Sequence, residues 1–262
     1  MSNNKMTIAN LDIDSWIGKS DEEIDSLESE GNDEDESTLK YSTKIVAFLD
    51  LLGITNSVRT LKNGRESDII KKMTSIKNIV EYELEHIHED ITMLHISDSF
   101  IFVSDTDILG HMLKVLATIQ TRVLIEEHTM LRGAVECGDV IVKDEGKQII
   151  GPAYIDAYEN QEHNAIYPRI ILGQSIIKML SKEEKLVNSN DGQCSLDYLD
   201  IYMEMSEQSK TKIKTKLRRE KVYSYLNDEY EKNHIDDKIS VYTKYAWTIN
   251  YLKEKGLWND GK

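Results

Sequence analysis

The order of elements predicted along the 262 residues is β-α-β-β-α-β-α-β-α, which predicts an α+β fold. Three observations carry this expectation. KIVAFLDLLGI (44–54) is a run of β-branched and aromatic residues ending in Gly, the signature of a buried strand. Two later segments repeat apolar residues at helical spacing. Two short strands between those helices are joined tightly around Asp98.

The elements follow in order. Residues 67–88 form the first helix, with Ser67 as a plausible N-cap. ITMLHIS (91–97) and SFIFVS (99–104) are the hairpin strands. Residues 105–127 form the second long helix, with Asp105 as its cap, and 130–144 is a strand of alternating character. Residues 149–165 open with Gly-Pro and then read as a helix; YPRIILG (167–173) is a further strand and 174–184 a short helix. Two strand–helix–strand halves around a central hairpin describe a ferredoxin-like, palm-type sandwich, an antiparallel-rich sheet with helices. Residues 187–203 carry an Asp-Gly turn followed by a short strand-like or irregular stretch. Residues 205–231 are rich in Lys, Arg and Glu, and 237–256 is amphipathic with Tyr242, Tyr245, Trp247 and Tyr251 as anchors. Residues 183–262 are therefore expected to add a helical C-terminal appendage to a domain spanning 41–182.

Charge divides the chain unevenly. The net charge is -15, from 32 Lys and Arg against 47 Asp and Glu. Residues 1–40 alone hold twelve acids against Lys5, Lys19 and Lys40. Such a segment buries too little apolar surface to offset its ordering entropy, so it is expected to be disordered or loosely docked. It reads either as a solubilising leader or as an autoinhibitory or partner-binding arm. The acidic balance disfavours sequence-independent nucleic-acid binding and an anionic membrane surface. There is no run of eighteen apolar residues and no basic-then-apolar start of a secretory signal. Cys137 and Cys194 fit no metal spacing and no disulfide framework. These features point to a reduced, cytoplasmic protein.

Two aspartates carry the chemistry. Asp50 ends an apolar strand and Asp98 occupies the hairpin turn. In a palm these two places lie side by side, and two carboxylates that close need a cation to stay ionised together. Two Mg²⁺ or Mn²⁺ ions, bridged by carboxylates and substrate phosphates, would meet that need. The expected metal set is Asp50, Leu51 and Asp98, with Asp50 and Asp98 as the catalytic pair. Read singly, Asp50 is equally a strand-terminal cap and Asp98 an ordinary turn residue. Backbone N–H groups of Gly53, Ile54 and Thr55, at the strand-to-helix turn, would favour a triphosphate.

AFLDLLGIT (47–55), ISDSFIFV (96–103) and LRGAVECGDVIV (131–142) resemble, in order and spacing, the core motifs of class III nucleotidyl cyclases. The resemblance covers about residues 42–180. The family's first metal Asp followed by x-x-Gly is matched by Asp50 and Gly53, and its hairpin Asp by Ser97-Asp98. Its Arg-and-Gly strand is matched by Arg132, Gly133 and, one position displaced, Gly138. The resemblance implies a head-to-tail homodimer with interface active sites, using two metals to convert a nucleoside triphosphate into a 3′,5′-cyclic monophosphate and pyrophosphate. Leu94 stands where many members place a purine-reading Lys, and Ile155 and Glu159 stand near the family's helical Asn and Arg. The GPAYIDAYENQE and YPRII segments, with the C-terminal LDYL and KYAW segments, look like a divergent bacterial branch. That branch includes the pyrimidine cyclases of antiphage Pycsar systems. It implies UTP, less often CTP, as substrate, and a separate effector that responds to the cyclic nucleotide.

Several further residues have two readings. Arg169 follows Pro168 at a strand start and reads as a phosphate clamp or as an ion-pair partner of Glu159 or Glu162. His95 alternates with Leu94, and one of the two should face the cleft. His95 reads as a nucleotide contact or as a satisfied strand histidine. Arg132 reads as structural. The rival functions are a nucleotide-binding palm without turnover and a palm polymerase; the Ser-Asp-Ser hairpin tip speaks against the second.

Overall fold

The structure is a computed structural model that describes residues 40–54, 66–86, 90–143, 146–180 and 185–258. The acidic leader and Thr55 lie outside the described residues. The chain separates into Met1–Lys40 and a compact unit of Tyr41–Lys262. The second unit begins with β1 (Ser42–Leu51), α1 (Glu66–Glu85) and the hairpin β2 (Ile91–Ile96) and β3 (Ser99–Ser104). After a 3₁₀ turn come α2 (Leu109–Glu127), β4 (Leu131–Lys143), β5 (Gln148–Ile150), α3 (Pro152–Asn164), β6 (Ile170–Leu172) and α4 (Gln174–Met179). The C-terminal part is β7 (Leu186–Asn188), β8 (Cys194–Leu196), α5 (Tyr198–Met205), α6 (Lys210–Arg219), α7 (Val222–Ile235) and α8 (Ile239–Glu254).

The sheet runs β2-β3-β1-β4-β6-β8-β7, with β5 paired to β4 off this path. Its first four strands, β2-β3-β1-β4, are antiparallel neighbours in the ferredoxin-like order. The fold class is thus α+β, as the element order predicts. β4 then pairs in parallel with β6, which carries the sheet onward. Residues 187–203, expected as an Asp-Gly turn and then a short strand-like or irregular stretch, supply a β-hairpin that joins this sheet and then a helix. The Asp191-Gly192 turn closes that hairpin, with Gly192 at φ 81°.

Alternation along β1 explains the layers. Ile45, Ala47, Leu49 and Leu51 face the larger core, with Ile76 and Val80 from α1 and Leu113 and Leu116 from α2. Val46 and Phe48 face a smaller core with Ile101, Val103, Ala153 and Ala157, under α3. The small side chains on α3 let that helix approach β4, where an added Cβ on Gly138 would touch Ala153 at 3.4 Å. Thr106–Glu127 is long and apolar enough to cross a bilayer, and 72% of that stretch is buried within the molecule, as a core helix is.

Two expected caps differ. The described helix is already running at Glu66, so Ser67 lies inside it. Asp105 makes no side-chain cap; its carboxylate takes Lys44 Nζ at 2.6 Å. An oppositely charged partner close in space outcompeted the local amides.

A buried polar cluster anchors α8. Asp197, 5% exposed, accepts from Tyr251 Oη at 2.6 Å and from Lys255. Lys255 also donates to Asp200 at 3.1 Å. Burial alone would lower the Lys255 pKa, and Asp197 and Asp200 outweigh it and raise it. Replacing Lys255 with Met would leave Asp197 buried without its cation, so urea unfolding should show a loss of about 3 kcal/mol. Tyr251→Phe should cost about 1 kcal/mol by the same measurement. Gly133 packs against β1 so closely that a Cβ would lie 2.7 Å from the Phe48 carbonyl oxygen. Gly133→Ala should therefore destabilise by about 1–3 kcal/mol in the same assay.

Candidate active site

The site is built at the end of β1. Hydrogen-bond register pairs Asp50 with Ser99 on one side and with Arg132 on the other. The hairpin tip is held against the strand by Leu51 N donating to Asp98 O at 3.0 Å. Ser97 takes a left-handed conformation, φ 57°, which lets the chain reverse within Ser97-Asp98. The two carboxylates expected to meet are therefore brought to one end of the sheet. Leu51 itself is buried, its side chain in the larger core.

Arg132 is the first partner of Asp50. Its Nε donates to Asp50 Oδ2 at 3.0 Å and its Nη2 to Glu162 Oε2 at 3.0 Å. Burial pushes the Asp50 carboxyl above the ordinary carboxylate range; Arg132 opposes this, while Asp98 and Glu162 push in the same direction as burial. Arg132 therefore compensates the site's negative charge without cancelling it. Sequence reasoning assigned this arginine to structure alone.

A second cation comes from the far end of the chain. Lys244, on α8, lies within the electrostatic reach of Arg132, Asp50 and Glu162. Burial lowers its pKa, Arg132 adds to that, and the two carboxylates oppose it. Nothing local in the KYAW segment marks Lys244 for this place; the Asp197–Tyr251–Lys255 anchor puts it there.

The turn after β1 opens a different wall. Gly53, at φ 91°, and Ile54 line a cleft of about 620 Å³ together with Lys72, His128, Lys232 and Lys238. Burial lowers the Lys72 pKa, with Glu127 and Glu229 opposing. The expected Gly53–Ile54 cradle thus faces a cleft supplied with lysines.

The structure does not bring the remaining candidates to the carboxylates. His95 shares a register position with Phe100, on the Leu49 face of the sheet, and stacks on that ring at 4.4 Å. Its Nε2 lies 2.8 Å from Ser97 O. Leu94, not His95, is on the face that carries Asp50, because Ile96 pairs with Ser99 and strand parity follows from that. Arg169 pairs with Asp191, neither with Glu159 nor with Glu162. Glu162 is taken by Arg132, and the Asp191 turn folds back across the start of β6.

Among the described residues, no three or more His, Cys, Asp or Glu side chains gather as a ready metal cluster. The donors present are two carboxylates and nearby main-chain oxygens. That set is all oxygen, the type hard divalent cations take, and is too small to cage an ion without substrate oxygens. The residues fit a hard divalent cation that completes its shell with oxygens from elsewhere.

No protein-family model matches the chain, and no curated protein matches it. Solved structures do resemble it. A bacterial light-regulated adenylyl cyclase is 14% identical over 65% of this chain and 58% of its own, with a TM-score of 0.47. The guanylate cyclase domain of RhGC from Catenaria anguillulae, in complex with GTP, is 13% identical over 59% of this chain and 94% of its own, with a TM-score of 0.48. A class III adenylyl cyclase-like ATP-binding protein from Pseudomonas aeruginosa is 16% identical over 66% of this chain and 43% of its own, with a TM-score of 0.49. The chain thus spans less than two thirds of the first and third of these proteins. All three likenesses are distant, and what this chain does is read from its own site.

Proposed function

We propose that the protein is a metal-dependent nucleotidyl cyclase that converts UTP to 3′,5′-cyclic UMP and pyrophosphate. The observation that carries this reading is the meeting of Asp50 and Asp98 at one sheet end, with Arg132 beside them. Bound with the triphosphate, Mg²⁺ or Mn²⁺ would make the ribose 3′-hydroxyl a better nucleophile and neutralise charge on the leaving pyrophosphate. Asp50 and Asp98 would hold the two ions. Lys244 and Arg132 would offset the phosphate charge, and the Gly53–Ile54 turn, beside Lys72, would receive the distal phosphates. The pyrimidine assignment draws on the motif resemblance and on Leu94, an apolar side chain on the Asp50 face where a purine-reading Lys stands in many cyclases. CTP or a purine triphosphate is the alternative substrate.

A head-to-tail homodimer belongs to the same reading. Ile155 and Tyr158 of α3, 52% and 46% exposed, and Ile96, 52% exposed, offer apolar surface beside this face. The product would act as a second messenger on a separate effector, in an antiphage role, and the acidic leader would gate or merely solubilise the enzyme. One observation favours a rival: Arg132 Nε donates to Asp50 Oδ2, an oxygen that an ion would need. Under that rival the palm binds nucleotide and does not turn it over.

Mass analysis of products from ATP, GTP, CTP and UTP, each with Mn²⁺, separates these readings. A cyclic monophosphate from UTP is expected. A linear oligonucleotide or no product at all would overturn the cyclase. Asp50→Asn and Asp98→Asn should each lower turnover at least about 10²–10³-fold. Because the Asp50 pKa is raised, its ionised form costs folded stability, and this cost grows as pH rises through that value. Asp50→Asn should accordingly melt no lower than the parent near neutral pH. The same raised pKa sets protons against metal. As pH falls, the apparent Mn²⁺ requirement should rise, and adding Mn²⁺ should shift the acid limb of the rate profile to lower pH.

A further inference from the structure

The start of β6 carries a buried charge with most of its donors unused. Arg169 is 0% exposed. Its Nη2 donates to Asp191, while Nε and Nη1 have no hydrogen-bond partner among the described residues. A guanidinium presents five N–H donors, and burying them unmatched is costly. This arginine lines a cleft of about 540 Å³, within the range of small-ligand sites.

The rest of the cleft is flat and amide-rich. Tyr167 and Trp247 lie 6.1 Å apart and within 11° of parallel. Trp247 and Tyr251 continue the array at 5.3 Å and 16°, and the Arg169 guanidinium lies 5.5 Å from the Tyr167 ring centre. Asn188, Asn190 and Asn250 add carboxamides that can both donate and accept. Asp191 and Glu254 leave the cleft one negative charge in excess of Arg169, so it is suited to a neutral planar group and unsuited to a phosphate.

We propose that this cleft binds a nucleobase, with the ring stacked on the Tyr167–Trp247 wall and its carbonyl or ring-nitrogen edge accepting from an Arg169 N–H and from the Asn250 carboxamide. Arginine and asparagine side chains recognise base edges by hydrogen bonding, and stacking on aromatic side chains supplies sequence-tolerant affinity. The inference goes beyond the cyclase reading and does not depend on it, because base binding needs neither metal nor turnover.

The test titrates uridine, cytidine, adenosine and guanosine into the full-length, metal-free protein. Calorimetry gives affinity, and the Trp247 indole N–H resonance, assigned with Trp247→Phe, gives location. At least one nucleoside should bind at millimolar concentration or below and shift that resonance. Arg169→Lys and Trp247→Leu should each weaken binding about tenfold. Asn250 is exposed, so Asn250→Ala keeps the fold and should weaken binding several-fold even if an Arg169 variant fails to fold. Asp50→Asn should leave nucleoside binding unchanged. Nucleoside that competes with the triphosphate marks the cleft as the substrate's base site; nucleoside that alters rate without competing marks a second nucleotide, and either upholds base recognition. Absence of binding by all four, or binding unchanged in Trp247→Leu and Asn250→Ala, overturns the proposal. Intact nucleoside binding without any cyclic product would overturn the cyclase reading alone.

Discussion

A strand buried on both faces and hydrogen-bonded on both edges has one place for a charge, its end. β1 is that strand: β3 and β4 pair with it along its length, and cores lie above and below it. Asp50 is where it meets partial solvent, and the carboxylate remains buried enough to need cationic company. The residues gathered around it answer that need. Asp98 arrives through the hairpin register, Arg132 through the β4 register, and Lys244 through the docking of α8.

The parts of this arrangement legible in the sequence depend on short-range periodicity. The hairpin strands, β4, α2 and the apolar run of β1 are each specified by alternation or helical spacing within a few residues. Asp50 and Asp98 could be paired on paper because a two-residue turn and a central strand leave little freedom. What stayed hidden depends on contacts between distant segments. The partner of Arg169 is 22 positions away, across a hairpin that continues the sheet. Lys244 sits more than a hundred residues after the arginine it joins, in a helix whose pattern shows only which face is apolar. His95 differs. The tight turn pairs Ser99 with Ile96, and strand parity from that pair places His95 on the far side, a signal local to the sequence.

The polar clamps between layers explain why the site is held firmly. Gln120, buried in α2, donates to Leu131 O at 3.2 Å and Pro168 O at 3.1 Å, joining the approaches to β4 and β6. Gly133 N donates to Arg169 O at 3.0 Å, so the backbones that carry Arg132 and Arg169 share one ladder. On the α3 side, Glu136 accepts from Asn160 at 2.6 Å and Ser175 at 2.9 Å, which ties α3 and α4 to the middle of β4. Side chains set in this way lose little further freedom when a ligand arrives.

α8 contributes to two neighbouring places at once. Lys244 lies within the electrostatic reach of the carboxylates, and Trp247 walls the cleft beside Arg169. They stand three positions apart on one continuous helix, about 4.5 Å of axial rise. That interval is a property of the backbone and cannot be stretched by rotating a side chain. The helix therefore fixes the spacing of the two side-chain origins, and the flexible Lys244 stem adds reach to that spacing. Exchanging either side chain changes what stands at one place, whereas bending or displacing the helix moves both places together.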